Sequence, residues 1–161
     1  MDRTQSTTRH RFASAQRRGS IYVAVLGAAS LVALIGVGAV AAARIQLRAA
    51  VAANDATHAA PMAQSAIELA RLRIANDANW RTSFTHDRWT ENVPFTGGGS
   101  ISFKLIDEAD SDLSDSGSEP VRLIGRGVYG KSLRMMSVEL TPDFTGKMTP
   151  TPGSWRQEVL P

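Results

Sequence analysis

The chain has 161 residues, enough for one modest folded domain beside any anchor. It contains no cysteine, which excludes a disulfide framework, a thiolate metal site and a cysteine nucleophile. The net charge of +3 invites a nucleic-acid reading, but the charges are unevenly placed. Arg3, Arg9, Arg11, Arg17 and Arg18 precede an uncharged apolar segment, against Asp2 alone, and the remaining 13 Lys or Arg face 14 Asp or Glu. The excess marks membrane topology and not a phosphate-binding surface, so no nucleic-acid partner is expected.

Residues 21–43 (IYVAVLGAASLVALIGVGAVAAA) carry neither charge nor proline. As a helix rising about 1.5 Å per residue, such a run covers roughly 35 Å, against a hydrocarbon core of about 30 Å. Five arginines precede it, while only Arg44 and Arg48 follow closely. The positive-inside rule then puts the N-terminus in the cytoplasm and the folded part outside. A buried core helix is the plain alternative, but a charge-free run this long with such flanks is foreign to soluble domains. Cleavage by signal peptidase at Ala39-Val40-Ala41 or Ala41-Ala42-Ala43 is a second alternative, against which stands a run longer than the usual 7–15 or so apolar residues.

The helical pattern continues beyond the apolar run. Ala59, Ala63, Ala66, Ile67, Ala70 and Ile74 recur at spacings of three and four and share one face. Glu68 and Arg71 can pair on another side, and Leu69 and Leu72 lie off the stripe. Pro61 predicts a kink or interruption near His58, and Asn76, Asp77 and Asn79 predict the end. The expected helix runs from about residue 20 to 77, bent near Pro61.

After Trp80 the period changes. Pro94 and Gly97-Gly98-Gly99 break the chain, and Ile101, Phe103 and Leu105 then alternate with Ser102 and Lys104 as in a half-buried strand. A second strand fits residues 121–128, and Tyr129-Gly130-Lys131 can turn into a third over 132–140. Three antiparallel strands would cover the helix stripe. The tail from Thr141, with Pro142, Pro150, Pro152 and Pro161, is expected to be mostly irregular, with room for a short strand over 155–159.

Candidate sites are few. Asp107, Glu108, Asp110, Asp112, Asp115 and Glu119 crowd the loop between the first two strands. Such a loop can offer oxygen ligands to calcium, with Asp110, Asp112 and Asp115 the best candidates, although the spacing is not that of an EF-hand and a solvated acidic loop is the plainer reading. His10, His58 and His86 have no metal-ligand spacing, and no cofactor is expected. His86-Asp87 beside Trp89 reads as a surface loop more readily than as a base and its orienting partner. There is no Gly-x-Ser-x-Gly elbow, and Gly97-Gly98-Gly99 lacks the lysine and helix of a phosphate loop. Gly125 and Gly127 relieve crowding within a strand, and Trp80, Trp89 and Trp155 read as packing residues before an adhesive surface. No catalytic constellation assembles, and an enzyme is not expected.

The junction Gln16-Arg17-Arg18-Gly19-Ser20-Ile21-Tyr22 resembles the class III leader of type IV pilins and type II secretion pseudopilins. The later pattern of Ala42-Ala43-Arg44, Asn54-Asp55, Ala59, Ala63 and Ser65-Ala66-Ile67-Glu68-Leu69-Ala70 resembles minor pilins of the PilX type. The resemblance spans roughly residues 10–80 and implies cleavage by prepilin peptidase between Gly19 and Ser20, with Ser20 as the N-methylated terminus. Most major pilins carry a glutamate fifth after the cut, where this chain has Ala24. That departure favours a tip, priming or accessory subunit over an ordinary filament subunit.

The expected fold class is α+β: a long N-terminal transmembrane helix followed by a small antiparallel β-sheet. The expected divisions are a basic cytoplasmic leader (1–19), a transmembrane helix (20–43), its extramembrane continuation (44–79) and a small extracytoplasmic β-rich domain with an irregular tail (80–161). The expected setting is the bacterial inner membrane, with other pilin or pseudopilin subunits and prepilin peptidase as partners. A single-pass anchored binding or sensor domain unrelated to pili is the runner-up.

Overall fold

The computed structural model describes residues 9–159, with side-chain surroundings from residue 19 onward. Asp2 and Arg3 of the leader and Pro161 of the tail lie outside the described residues, as do the side chains of His10 and of the other leader arginines. The fold is α+β, as the sequence pattern predicts. Helix α1 (Arg9–Asn76) is followed by the single turn α2 (Trp80–Ser83) and by strands β1 (Val93–Pro94), β2 (Ser100–Ile106), β3 (Val121–Tyr129), β4 (Ser132–Pro142), β5 (Met148–Pro150) and β6 (Arg156–Glu158). Two compact units meet in sequence between Ala49 and Ala50.

In the first unit α1 already starts at Arg9, upstream of the expected start near residue 20. Ala13, Ala15, Gln16, Arg17 and Arg18 are good helix formers, and the one glycine among them, Gly19, costs only about 1 kcal/mol in a helix. From residue 19 to 49 every side chain is exposed. The stretch Gly19–Asn76 contains a window apolar enough to cross a membrane, with a mean hydropathy of 2.4.

In the second unit α1 packs on an antiparallel sheet. Ala59, Ala63, Ala66, Ile67, Ala70 and Ile74, the stripe read from the sequence, are all buried. Helix and sheet approach closely because both surfaces are small. A Cβ at Gly125 would lie 2.4 Å from the Ala63 carbonyl oxygen, and one at Gly127 would lie 2.4 Å from that of Ala59. Ile67, Ala70 and Ile74 extend into a core of Phe103, Leu105, Val121, Leu123, Val138 and Leu140, closed by Trp80 and Leu113.

Pro61 does not interrupt α1 at His58; it lies within the continuous helix. Proline removes one donor, which strands the carbonyl of Thr57, but Pro61 and Thr57 are both exposed, so water can satisfy that oxygen. Ala59 and Ala63 on either side remain clamped to β3.

Among the described residues the sheet has six strands, in the order β1-β2-β3-β4-β5, with β6 also on β4. The three expected strands form its centre, in register Phe103↔Gly125 and Gly125↔Met136. The tail contains the short strand for which residues 155–159 leave room, β6, and one strand that the sequence pattern does not predict, β5, both on the outer edge of the long β4. There β5 pairs at Leu140↔Pro150 and β6 at Met136↔Gln157. The turn between β4 and β5 is built by Asp143, whose Oδ1 accepts the N–H groups of Thr145 (2.8 Å) and Lys147 (3.0 Å). Pro142 ends β4 beyond its pairing with β3, and Pro150 lies in the short, peripheral β5, so both prolines are tolerated. Pro94 likewise belongs to an edge strand, and Gly97, Gly98 and Gly99, all at positive φ, turn β1 into β2.

The face of the sheet away from α1 is not solvated as simple alternation predicts. Ser102 is buried, accepts the Nε–H of Arg126 at 2.8 Å, and lies under a layer that includes Trp89. Arg126 stacks 4.4 Å from the Trp89 ring centre and Lys104 lies 5.2 Å from it.

Candidate functional site

The segment 107–120 joins β2 to β3 and carries six acidic side chains. Three anchors hold it. At its start the Asp107 N–H donates to His86 Nδ1 at 3.1 Å. In its middle Leu113 is buried in the core. From α2, Arg81 lies over Trp80 and donates to the carbonyl oxygens of Leu113 (3.2 Å) and Glu119 (2.7 Å). Aspartates shape the loop between the anchors. Asp107 Oδ1 accepts the Ala109 N–H, Asp110 Oδ1 accepts that of Asp112, and Asp112 Oδ1 accepts both the N–H and the hydroxyl of Ser114.

Asp107, Asp110, Asp115 and Glu119 converge, offering one carboxylate oxygen each, all within 4.8 Å of one another. This set differs from the one expected from the sequence. Asp110 and Asp115 belong to it; Asp112 does not, because Ser114 engages its carboxylate and holds it below the usual aspartate range. Asp107 and Glu119 take its place. Twelve positions apart at the two ends of the loop, they meet only when the β2–β3 connection closes. The sequence places both in the acidic loop, but no spacing along the chain singles them out.

Crowding of like charge is visible in the electrostatics. The Asp115 carboxyl is pushed above the usual aspartate range, first by its hydrogen bond with Asp110 and then by burial and by the Asp110 charge. Glu119 is pushed up by burial and by repulsion from Asp115, Asp107 and Asp110, which Arg81 partly offsets. Among the described residues, two buried side-chain atoms lack a hydrogen-bond partner, Asp107 Oδ2 and Glu119 Oε2, and both belong to this quartet.

The remaining candidates lie elsewhere in the described residues. Gly19 and Ser20 are exposed residues within α1. His86 holds the acidic loop, while Asp87 pairs with Lys104, so the two do not act as a unit. His58 packs against Tyr129 with ring centres 4.8 Å apart. Trp80 is core, Trp89 covers the sheet, and Trp155 is partly exposed. Gly130 turns β3 into β4 at a φ of 54°, where Asp55 of α1 accepts the Lys131 N–H at 3.1 Å. On the outer face Arg122 bridges Glu108 (2.9 Å) and Glu158 (2.5 Å).

No family model, curated protein or solved structure matches this chain. An N-terminal apolar helix followed by an antiparallel sheet is nevertheless pilin-like in plan, and among the described residues one helix is long and apolar enough to cross a membrane.

Proposed function

We propose that the chain is a structural, pilin-like subunit, a minor pilin or pseudopilin that primes, caps or accompanies a type IV pilus or type II secretion pseudopilus. The observation that carries this reading is the double use of α1. Its residues 19–49 expose an apolar surface, and its residues from Ala59 on are the packing partner of the sheet. A subunit that stays in a membrane until assembly and then buries its helix among others needs both properties in one element. Ala24, in place of the glutamate found in most major pilins, fits an accessory position. In this reading the protein sits in the bacterial inner membrane, with its N-terminus in the cytoplasm and its sheet outside, and works by assembly and not by catalysis.

The test is the N-terminal residue and intact mass of the native protein extracted from membranes. A chain beginning at N-methylated Ser20 is the expected result. A start at Met1 would sink the assembly reading in favour of a plain anchored binding domain, which the acidic quartet also suits. A start near Arg44 would make the protein secreted.

A further inference from the structure

We propose that two copies of this chain pair across the cleft beside the β4–β5 turn, each seating its Phe144 in the cleft of the other. A single apolar residue on a surface is ordinary and would not carry this alone. Phe144 differs in how it is held and in what lies beside it.

Among the described residues Phe144 is the most exposed of the large apolar side chains. It stands on a closed turn. The Asp143 N–H donates to the Lys147 carbonyl oxygen at 2.9 Å, and the Gly146 N–H donates to that of Asp143 at 2.9 Å. Asp143 Oδ1 accepts the Thr145 hydroxyl at 2.6 Å in addition to the two N–H groups already described. Gly146 adopts a φ of 80°, which suits glycine and strains other residues. A turn closed in this way presents its ring in one place, so docking that ring costs little further ordering. Removing it from water is the driving force.

The receiving surface adjoins the turn. A cleft of about 390 Å³ lies at the end of α1, lined by Ile74, Trp80, Leu140, Met148 and the exposed Ala75. A closed cavity of about 150 Å³ holds benzene, so this open cleft has room for a phenyl ring and part of the turn that bears it. Phe144 does not fill the cleft of its own chain, because it is fully exposed.

The placement of ring and cleft selects the occupant and the symmetry. Thr145, Gly146 and Lys147, which directly follow Phe144, themselves line the cleft. Ring and cleft are thus side by side and cannot serve two different neighbours without those neighbours colliding. A two-fold axis at this edge uses both at once, since in such a contact residue i meets j while j meets i. Charge agrees with it. Lys147 and Asp77 both line the cleft, and among the described residues neither forms an ion pair within the chain. The two-fold exchange brings Lys147 of each copy to Asp77 of the other.

The contact is small. Two phenylalanines bury about 150–250 Å² each, well short of the roughly 1,200–2,000 Å² of a stable complex. Pairing is therefore weak in dilute solution and is favoured where chains share a bilayer, which raises their effective concentration. It uses none of residues 19–49 and does not rest on the assembly reading, because processing after Gly19 and pairing succeed or fail separately.

The test places the photo-cross-linker p-benzoylphenylalanine at position 144 of full-length protein in neutral lipid vesicles, as an equal mixture of ordinary and heavy-isotope chains. Irradiation should give dimers whose adducts join position 144 of one isotope to Ala75 or Met148 of the other. The same probe at position 95, also exposed, should give none to the cleft. Ala75→Arg blocks the cleft from an exposed position and should remove the adduct. Lys147→Glu should lower its yield by at least about twofold, and adding Asp77→Lys should restore it, which a merely misfolded variant would not do. Adducts only within one chain, only to lipid, or to a surface other than the cleft would overturn the pairing. So would an undiminished yield in Ala75→Arg, and a ladder of higher species would overturn the two-fold arrangement.

Discussion

Alanine-rich helix lies on both sides of the Ala49–Ala50 boundary, with opposite fates. Ala41, Ala42 and Ala43 are exposed, whereas Ala59, Ala63, Ala66 and Ala70 are wholly buried. The residue type is the same, so the difference comes from what faces it. The second stretch meets β3, whose Gly125 and Gly127 let the backbone of the sheet approach the backbone of the helix. The first stretch leaves Leu26, Leu31, Leu34 and Ile35 exposed. Alanine in the second stretch is a spacer chosen for closeness. In the first it is one small residue in a generally apolar, exposed surface.

This contrast can be broken most sharply at the glycines. Gly127→Val places side-chain atoms against the Ala59 carbonyl and the Ala63 amide, both 2.4 Å from an ideal Cβ. Overpacking here should cost about 3 kcal/mol or more, read as loss of the tryptophan-fluorescence unfolding transition or a large drop in its midpoint. The same substitution at Gly36, whose Cβ position is open, should leave that transition unmoved.

Large-to-small change sharpens the comparison from the other side. Ile67→Ala opens the centre of the core and should cost about 2–5 kcal/mol by denaturant titration. Leu34→Ala, on the exposed stretch, should cost nothing in that assay. Leu34→Arg should instead disfavour membrane insertion by about 2.5–3.5 kcal/mol, measured as a shift from the membrane to the soluble fraction, with the sheet still folded.

A smaller effect is expected at Asp55, where α1 holds the β3–β4 turn. Asp55→Ala leaves the Lys131 N–H without its acceptor and should cost about 1–2 kcal/mol in the same titration. The smallest effect is a pH dependence. The Ser137 hydroxyl and then the Arg122 guanidinium hold the Glu158 carboxyl below the usual glutamate range. Because the folded value is the lower one, this contribution is complete above about pH 4.3, the ordinary glutamate value, and is lost as pH falls through the folded value. Glu158→Gln should flatten the acid limb of the stability curve, while the exposed helix of the first unit contributes no slope there.

Much of the second unit was legible in the sequence because periodicity reports burial directly. The stripe from Ala59 to Ile74 and the inward residues of β2 follow from spacings of three to four and of two. The misreadings share one cause, which is that a neighbour remote in sequence overruled a local signal. Prolines at 94, 142 and 150 argued against strands, yet each finds an edge position supplied by β2 or β4. Ser102 argued for a solvated face, yet Arg126 and the segment bearing Trp89 cover it. Pro61 argued for a break, yet its lost hydrogen bond falls on the exposed side of a helix clamped at Ala59 and Ala63.

The anchor-length apolar helix, its charge bias, the helix stripe and the three central strands are each a pattern among near neighbours and can be read along the chain, as can the existence of an acidic loop. Which carboxylates meet depends on the folded loop. Asp107 and Glu119 are separated along the chain and joined by the antiparallel closure of β2 on β3, while Asp112, between them, is drawn away by Ser114. Convergence of side chains is a property of closed loops, and no spacing rule along a single strand of sequence contains it.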